Sequence, residues 1–364
     1  MMYSFDVFDT LITRNTATPK GIFSIMQYHL QHDSRWASIP DHIKNNFYHL
    51  RVHAEKFPVS SLEPGIEEVT LDQVYSFFSH TPSVTQKMCV DLMEFEIETE
   101  LACSVGITAN INRVIELISH GIHVVLISDM YLPSTVIRKL LCKHHAIFQD
   151  IPIYVSSEIK LRKGTGNLYK YVREKEGIHF SEWMHIGDNP ISDVRVPQKL
   201  GICAEQYPYT SLLPYESYAL KKSPEDPQVQ LAIGTSRNIR LQQPDASKPY
   251  ALGTSLGGAL LLPYVRWILQ DALARKIRCL YFVARDGYVL KEIADVLIHE
   301  SGYDISTKYI YGSRIAWGIP SDLESDCFSI LSNAYKIERL SDVLDALLCG
   351  GGGAKSRVNI QRVS

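Results

Sequence analysis

Residues Ile122–Ser128 read IHVVLIS, a near-continuous apolar run. A strand of that kind is expected where helices cover both faces of a parallel sheet. The run ends at Asp129 and is followed by a helical pattern over Ser134–His145. The same plan recurs downstream: strand Ile153–Val155 with helix Gly166–Glu176, strand Trp183–Ile186 with helix Ser192–Leu200, then strand Ile202–Gln206. Met2–Phe5 supplies another short apolar run at the start. Strands alternating with helices specify an α/β fold built on a doubly wound parallel sheet. Ligands of such sheets bind beyond the carboxyl ends of the strands, so the chemistry of this chain is to be sought there.

Two stretches break the alternation. Residues 15–109 hold few strand-like runs and read as a helical insertion, with helices near Pro19–His32, Asp41–Phe57, Thr70–Phe78 and Val84–Cys103. Thr70 and Thr108 suit helix N-caps. Residues 208–249 hold six of the 17 prolines and read as a linker or loosely packed connection. From residue 250 a second, smaller α/β domain is expected. Its elements are helix Ser255–Arg275, strand Cys279–Val283, helix Tyr288–His299 and strand Lys308–Tyr311. Its segment CLYFVARDGYVLKEI shares the plan of HVVLISDMYLPSTVI, which suggests a degenerate internal repeat. The tail Cys349–Ser364, with four consecutive glycines, reads as flexible.

A chain of 364 residues is long enough for two or three domains. A formal net charge of −3 gives no field that would recruit nucleic acid or an anionic membrane. The longest apolar stretch, near Leu256–Leu269, contains Arg266 and is too short and too charged to span a bilayer. MMYSFDVFDTL lacks a basic region and does not read as a signal peptide. Seven scattered cysteines without a CxxC pair imply free thiols in a reducing, cytoplasmic compartment. CGGGGAKS (Cys349–Ser356) and GTSLGGAL (Gly253–Leu260) imitate phosphate-binding loops but lack the required residues or the preceding strand. Glu94, Glu96, Glu98 and Glu100 recur at every second residue, which on a helix spreads them around the surface.

Four strand ends carry polar residues: Asp6, Asp9 and Thr10 in FDVFDTL, Ser128 and Asp129 in LISD, Lys163 in KGTG, and Asp188, Asn189 and Asp193 in IGDNPISD. Carboxylates, a hydroxyl and one lysine suit an Asp nucleophile, a divalent cation on oxygen ligands and cationic stabilisation of a transferring phosphoryl group. Each residue alone has a plainer reading. Asp9 suits a turn cap, Asp129 a loop acid or N-cap, and Asp188 a turn residue; Lys163, beside Lys160 and Arg162, suits a solvated basic patch. Arg14 suits either a substrate anion or a surface salt bridge.

In this order and on these elements, the four motifs resemble the haloacid dehalogenase (HAD) superfamily. The resemblance covers residues 1–14 and about 110–207 as a HAD-like catalytic core, with 15–109 where that superfamily places a cap. It implies that Asp6 is the nucleophile of an aspartyl-phosphate intermediate. Ser128 would hydrogen-bond the phosphoryl group and Lys163 neutralise charge. Asp6, the Phe8 carbonyl, Asp188 and Asp193 would hold Mg²⁺. Thr10, Arg14 and Asn189 are expected to contact the substrate. One departure matters: Phe8 stands where most phosphatases of the superfamily have an acid that protonates the leaving group. Asp9 and Asp129 are the candidates to replace it. The function so implied is a Mg²⁺-dependent phosphohydrolase acting on a small phosphorylated metabolite such as a sugar phosphate. The alternatives are a dehalogenase using the same Asp, or a non-catalytic module that binds a phosphorylated ligand. FDVFDTL, ISDMYLP, GDNPISD and FVARDGY together also resemble a bacterial subgroup associated with surface-polysaccharide glycosyltransferase machinery.

Overall fold

The computed structural model describes residues 1–56, 63–81, 83–242 and 248–312. The Gly-rich tail Cys349–Ser364, with its loop-like CGGGGAKS, lies outside them. By compactness the chain divides into a unit ending at Ala259 and a second that begins at Leu260.

The first unit is built on five parallel strands. They are β1 (Met2–Phe5), β4 (His123–Ser128), β5 (Ile153–Val155), β6 (Trp183–Gly187) and β7 (Cys203–Gln206), in the order β5-β4-β1-β6-β7. β1 lies at the centre, with Phe5 level with Leu126 on one side and Ile186 on the other. Because side chains alternate across a strand, these three enter one core, while Met2, Val125, Ile127 and Trp183 enter a second. All seven are buried, each contributing about 1.5–3 kcal/mol of apolar transfer energy. The expected sheet is therefore present, with helices on its faces.

The chain leaves this sheet through β2 (Ile12–Arg14) and returns through the antiparallel β3 (Ser104–Gly106). Between them lie α1 (Gly21–His32), α2 (Asp41–Ala54), α3 (Leu71–Ser76) and α4 (Gln86–Cys103). Thr70 caps α3 by accepting from the Gln73 amide. The next helix, α5 (Thr108–Ser119), begins at Thr108 itself, with Ile107 at the cap.

Two expectations fail here. Glu96 and Glu100 are not surface residues: spaced four apart on α4, they share its inner face and are 0% and 1% exposed. Each receives a bidentate arginine. Arg51 donates to Glu96 at 2.6 and 2.8 Å, and Arg14 to Glu100 at 2.8 and 2.8 Å. Nor is the proline-rich stretch loose throughout. It holds α10 (Pro214–Lys222) and α11 (Pro227–Leu241), each begun by a proline, whose missing N–H costs nothing at the first helical position. Asp226 caps α11.

The remaining helices of this unit are α6 (Ser134–Cys142), α7 (Ser156–Ile159), α8 (Asn167–Glu176), α9 (Val196–Leu200) and α12 (Lys248–Leu252). The second unit, taken by itself, pairs β8 (Cys279–Val283) with the parallel β9 (Ser306–Ile310), flanked by α13 (Leu262–Ala274) and α14 (Gly287–Ser301). Its core includes Val265, Leu269, Phe282 and Ala294. The five cysteines among the described residues are free thiols. No helix among them is long and apolar enough to cross a membrane.

Candidate active site

Asp6 follows the last residue of β1, so the central strand delivers it to the carboxyl edge of the sheet. Lys163 Nζ donates to Asp6 Oδ1 at 2.5 Å and to Asp193 Oδ1 at 2.6 Å, and all three residues are buried. Asp188, just past β6, completes a group of three carboxylates: one oxygen from each of Asp6, Asp188 and Asp193 lies within 4.8 Å of the others. Oxygens on opposite sides of a magnesium ion, each at about 2.1 Å, stand about 4.2 Å apart, so the donor set has the right chemistry and scale for that cation. Three carboxylates against one ammonium also leave a local excess of negative charge.

The protonation tendencies follow from that crowding. Burial, together with Asp193 and Asp188, pushes the Asp6 carboxyl up despite Lys163. Burial, then Asp9 and Asp193, pushes Asp188 to about 7. Burial would raise Asp193 too, but Lys163 and His185 hold it well below the usual carboxylate range. Burial disfavours the Lys163 charge, yet Asp193 and Asp6 outweigh it and hold the ammonium charged.

Local structure explains how the chain brings these groups together. In IGDNPISD the Asn189 side chain caps the wide helical turn Pro190–Arg195, accepting from the Ile191 and Ser192 amides at 2.9 and 3.1 Å. That turn carries Asp193 back over the strand end. There its Oδ2 accepts from the Asn189 amide at 3.0 Å. Gly187 is required for this approach, since a Cβ there would lie 2.5 Å from the Asp193 carboxyl carbon. Lys163 is set by its own backbone, whose amide donates to both Asp129 oxygens at 2.9 and 3.1 Å. Thr10 donates to Asp6 Oδ2 at 3.2 Å. Ser128, at the end of β4, lines the same cavity, and its hydroxyl makes no hydrogen bond to a described residue.

The expected residues thus divide by position. Asp6, Ser128, Lys163, Asp188 and Asp193 border one cavity of about 950 Å³, as do Phe8, Asp9, Arg14, Asp129 and Asn189. Thr10 is buried beneath Asp6. Arg14 is no surface salt bridge: it is buried on Glu100, with its guanidinium carbon 4.4 Å from the centre of the Phe8 ring. Asp9 sits in the left-handed region at φ 59°, which costs a non-glycine residue about 1 kcal/mol, and accepts from Thr13 at 2.5 Å.

No family model and no curated protein matches the chain. Among solved structures, it is similar to a HAD family enzyme from Bacteroides thetaiotaomicron in a magnesium complex. That match is 17% identical over 57% of this chain and 92% of the other, with a TM-score of 0.38. It is also similar to a 2-haloacid dehalogenase from Pseudomonas syringae pv. tomato, 12% identical over 58% and 89%, with a TM-score of 0.44. A third likeness is to a predicted phosphoglycolate phosphatase from Haemophilus somnus, 12% identical over 55% and 82%, with a TM-score of 0.34.

Several residues that shape the site carry no signal in the motifs. Trp183 Nε1 donates to Ser4 Oγ at 2.6 Å, which leaves the Ser4 hydroxyl proton for His185 Nδ1 at 2.7 Å. His185 Nε2–H then faces Asp193 at 3.3 Å, and burial holds the imidazole neutral by lowering its pKa. Glu67, from the helical excursion, fixes the lysine loop by accepting from the Arg162 amide, Thr165 and Asn167. His185 stands two residues before Gly187 and reads as an ordinary core histidine. Glu67 is almost 100 residues from the loop it holds.

Proposed function

We propose that the first unit is a Mg²⁺-dependent phosphohydrolase working through an aspartyl phosphate on Asp6. The observation that carries the reading is Asp6 joined to Asp193 by one buried lysine, with Asp188 close enough to share an ion. Asp6, Asp188, Asp193 and the Phe8 carbonyl are the groups proposed to hold the cation, which would screen an anionic phosphate from an anionic nucleophile. Thr10 and Lys163 orient Asp6 for in-line attack. One carboxylate oxygen forms the new P–O bond while the bond to the departing alkoxide breaks. Lys163 neutralises charge on nucleophile and phosphoryl group, and the free Ser128 hydroxyl donates to a phosphoryl oxygen. Water then releases phosphate and restores Asp6.

The proposed substrate is a small phosphorylated metabolite, a sugar phosphate being the first to try. Phe8 favours a second reading, cleavage of a bond whose leaving group needs no proton, such as carbon–halogen. The test is a release assay over sugar phosphates, nucleotides, an aryl phosphate and a 2-haloacid, with Mg²⁺ and with EDTA. Phosphate release that needs Mg²⁺ and is lost in Asp6→Asn supports the first reading. Halide release indifferent to EDTA supports the second. Full phosphate release by Asp6→Asn overturns the aspartyl-phosphate mechanism.

A further inference from the structure

The α10–α11 hairpin belongs to no motif, yet it borders the cavity over Asp6. Leu220, from α10, and Pro224, from the turn between the helices, line that cavity together with Gln230 of α11. The rings of Phe8, Phe23, Tyr48 and Tyr131 line the same cavity. A volume of about 950 Å³ is near the upper end for small-molecule sites and far exceeds what a phosphate group fills.

The hairpin is fixed where it stands. α11 lies backbone to backbone on the segment where the chain leaves β2, for a Cβ at Gly234 would meet the Asn15 carbonyl oxygen at 2.2 Å. Arg237, 5% exposed, donates to the Thr13 hydroxyl and to the Arg14, Thr16 and Ala17 carbonyls at 2.9–3.2 Å. The Gln230 side chain accepts from the Thr18 amide at 3.1 Å and donates to the Pro224 carbonyl at 2.7 Å, which ties the hairpin turn to the start of the excursion. Glu225 in that turn meets His49 of α2 at 3.1 Å. Such anchoring makes a rigid wall. A preorganised apolar wall contributes binding energy without an ordering cost.

We propose that the α10–α11 hairpin is the substrate-selecting wall of this cavity, and that the cavity admits phosphomonoesters of ring-bearing alcohols in preference to those of short, open-chain ones. The inference rests on the phosphate-site reading above. A ring packed against Leu220, Pro224 and these aromatic side chains is removed from water. The scissile phosphate meanwhile reaches Asp6 and Lys163, which line the same cavity.

The test separates the two readings because it needs no turnover. Benzylphosphonate and methylphosphonate, whose P–C bonds resist hydrolysis, are titrated calorimetrically into the full chain with Mg²⁺. Benzylphosphonate should bind at least tenfold more tightly, the order expected for burying one ring. Leu220→Ser should cut that ratio about fivefold. Pro224→Ser, at the exposed turn, gives the same measurement if Leu220→Ser lowers the melting temperature. Equal binding of the two probes by wild type, or a ratio unchanged in both variants, overturns the wall. If neither probe binds, the phosphate site itself fails and this inference with it.

Discussion

Replacing Asp188 by Asn puts the electrostatics of the site to a quantitative test. Its carboxyl is pushed from an ordinary value of 3.8 to about 7, mainly by burial and then by Asp9 and Asp193. Between about pH 4 and pH 7 the folded protein therefore holds a proton that the unfolded chain has lost. Stability conferred by that proton is full below this window and drains away as pH rises through it. At about 1.4 kcal/mol per tenfold, ionising Asp188 in the metal-free fold costs at most about 4 kcal/mol. Solvent screening of this half-buried group brings the expectation to about 2 kcal/mol. Asp188→Asn should then be about 2 kcal/mol more stable than wild type at pH 8 in EDTA, with the gain shrinking toward pH 4. For a unit of this size that is about 4–8 °C in melting temperature. Saturating Mg²⁺ should reverse the order. A cation at a hundred times its dissociation constant adds about 2.7 kcal/mol to wild type, and the Asn variant has lost a ligand. Asp193→Asn should have the opposite sign in EDTA, because Lys163 and His185 stabilise that carboxylate. Thermal unfolding by circular dichroism from pH 4.5 to 8 reads all three. If Asp188→Asn gains nothing at pH 8 in EDTA, the charge-crowding argument is wrong. If Mg²⁺ stabilises wild type and Asp188→Asn equally, Asp188 is no ligand.

Gly187→Ala should destabilise the fold by about 1–3 kcal/mol and weaken Mg²⁺ binding at least tenfold, because the new Cβ displaces Asp193; unchanged calorimetric Mg²⁺ binding would refute it. Glu100→Leu should cost about 3–5 kcal/mol in urea unfolding by leaving Arg14 buried and unpaired, and a loss below 1 kcal/mol would show that Arg14 finds another partner. The first chemical step should depend steeply on leaving-group pKa across a series of aryl and alkyl phosphates. Phe8→Asp should fail to flatten that slope, and a flattened slope would show that the introduced acid can donate.

The strand ends were legible because each is a local pattern: a short apolar run, then an acid, hydroxyl or lysine. Parallel topology alone brings such ends to one edge, and Asp6, Lys163, Asp188 and Asp193 do converge there. What was not legible depends on partners distant in sequence. Glu96 and Glu100 read as solvated because their spacing says nothing of Arg51 and Arg14, 45 and 86 residues away. Prolines 214 and 227 read as breakers, although at a first helical position they start helices instead. The proton-donor question shows the same limit. In the sequence, position 8 shows only that the usual acid is absent. The structure gives Phe8 a task of its own, for its ring lies under the Arg14 guanidinium, whose Nε and Nη2 both donate to Glu100. An Asp introduced there would face a buried cation. Such a neighbour favours the carboxylate and lowers its pKa. The resulting group would be a better ion-pair partner than acid. A donor at this site must come from elsewhere on the cavity wall, or the leaving group must need none.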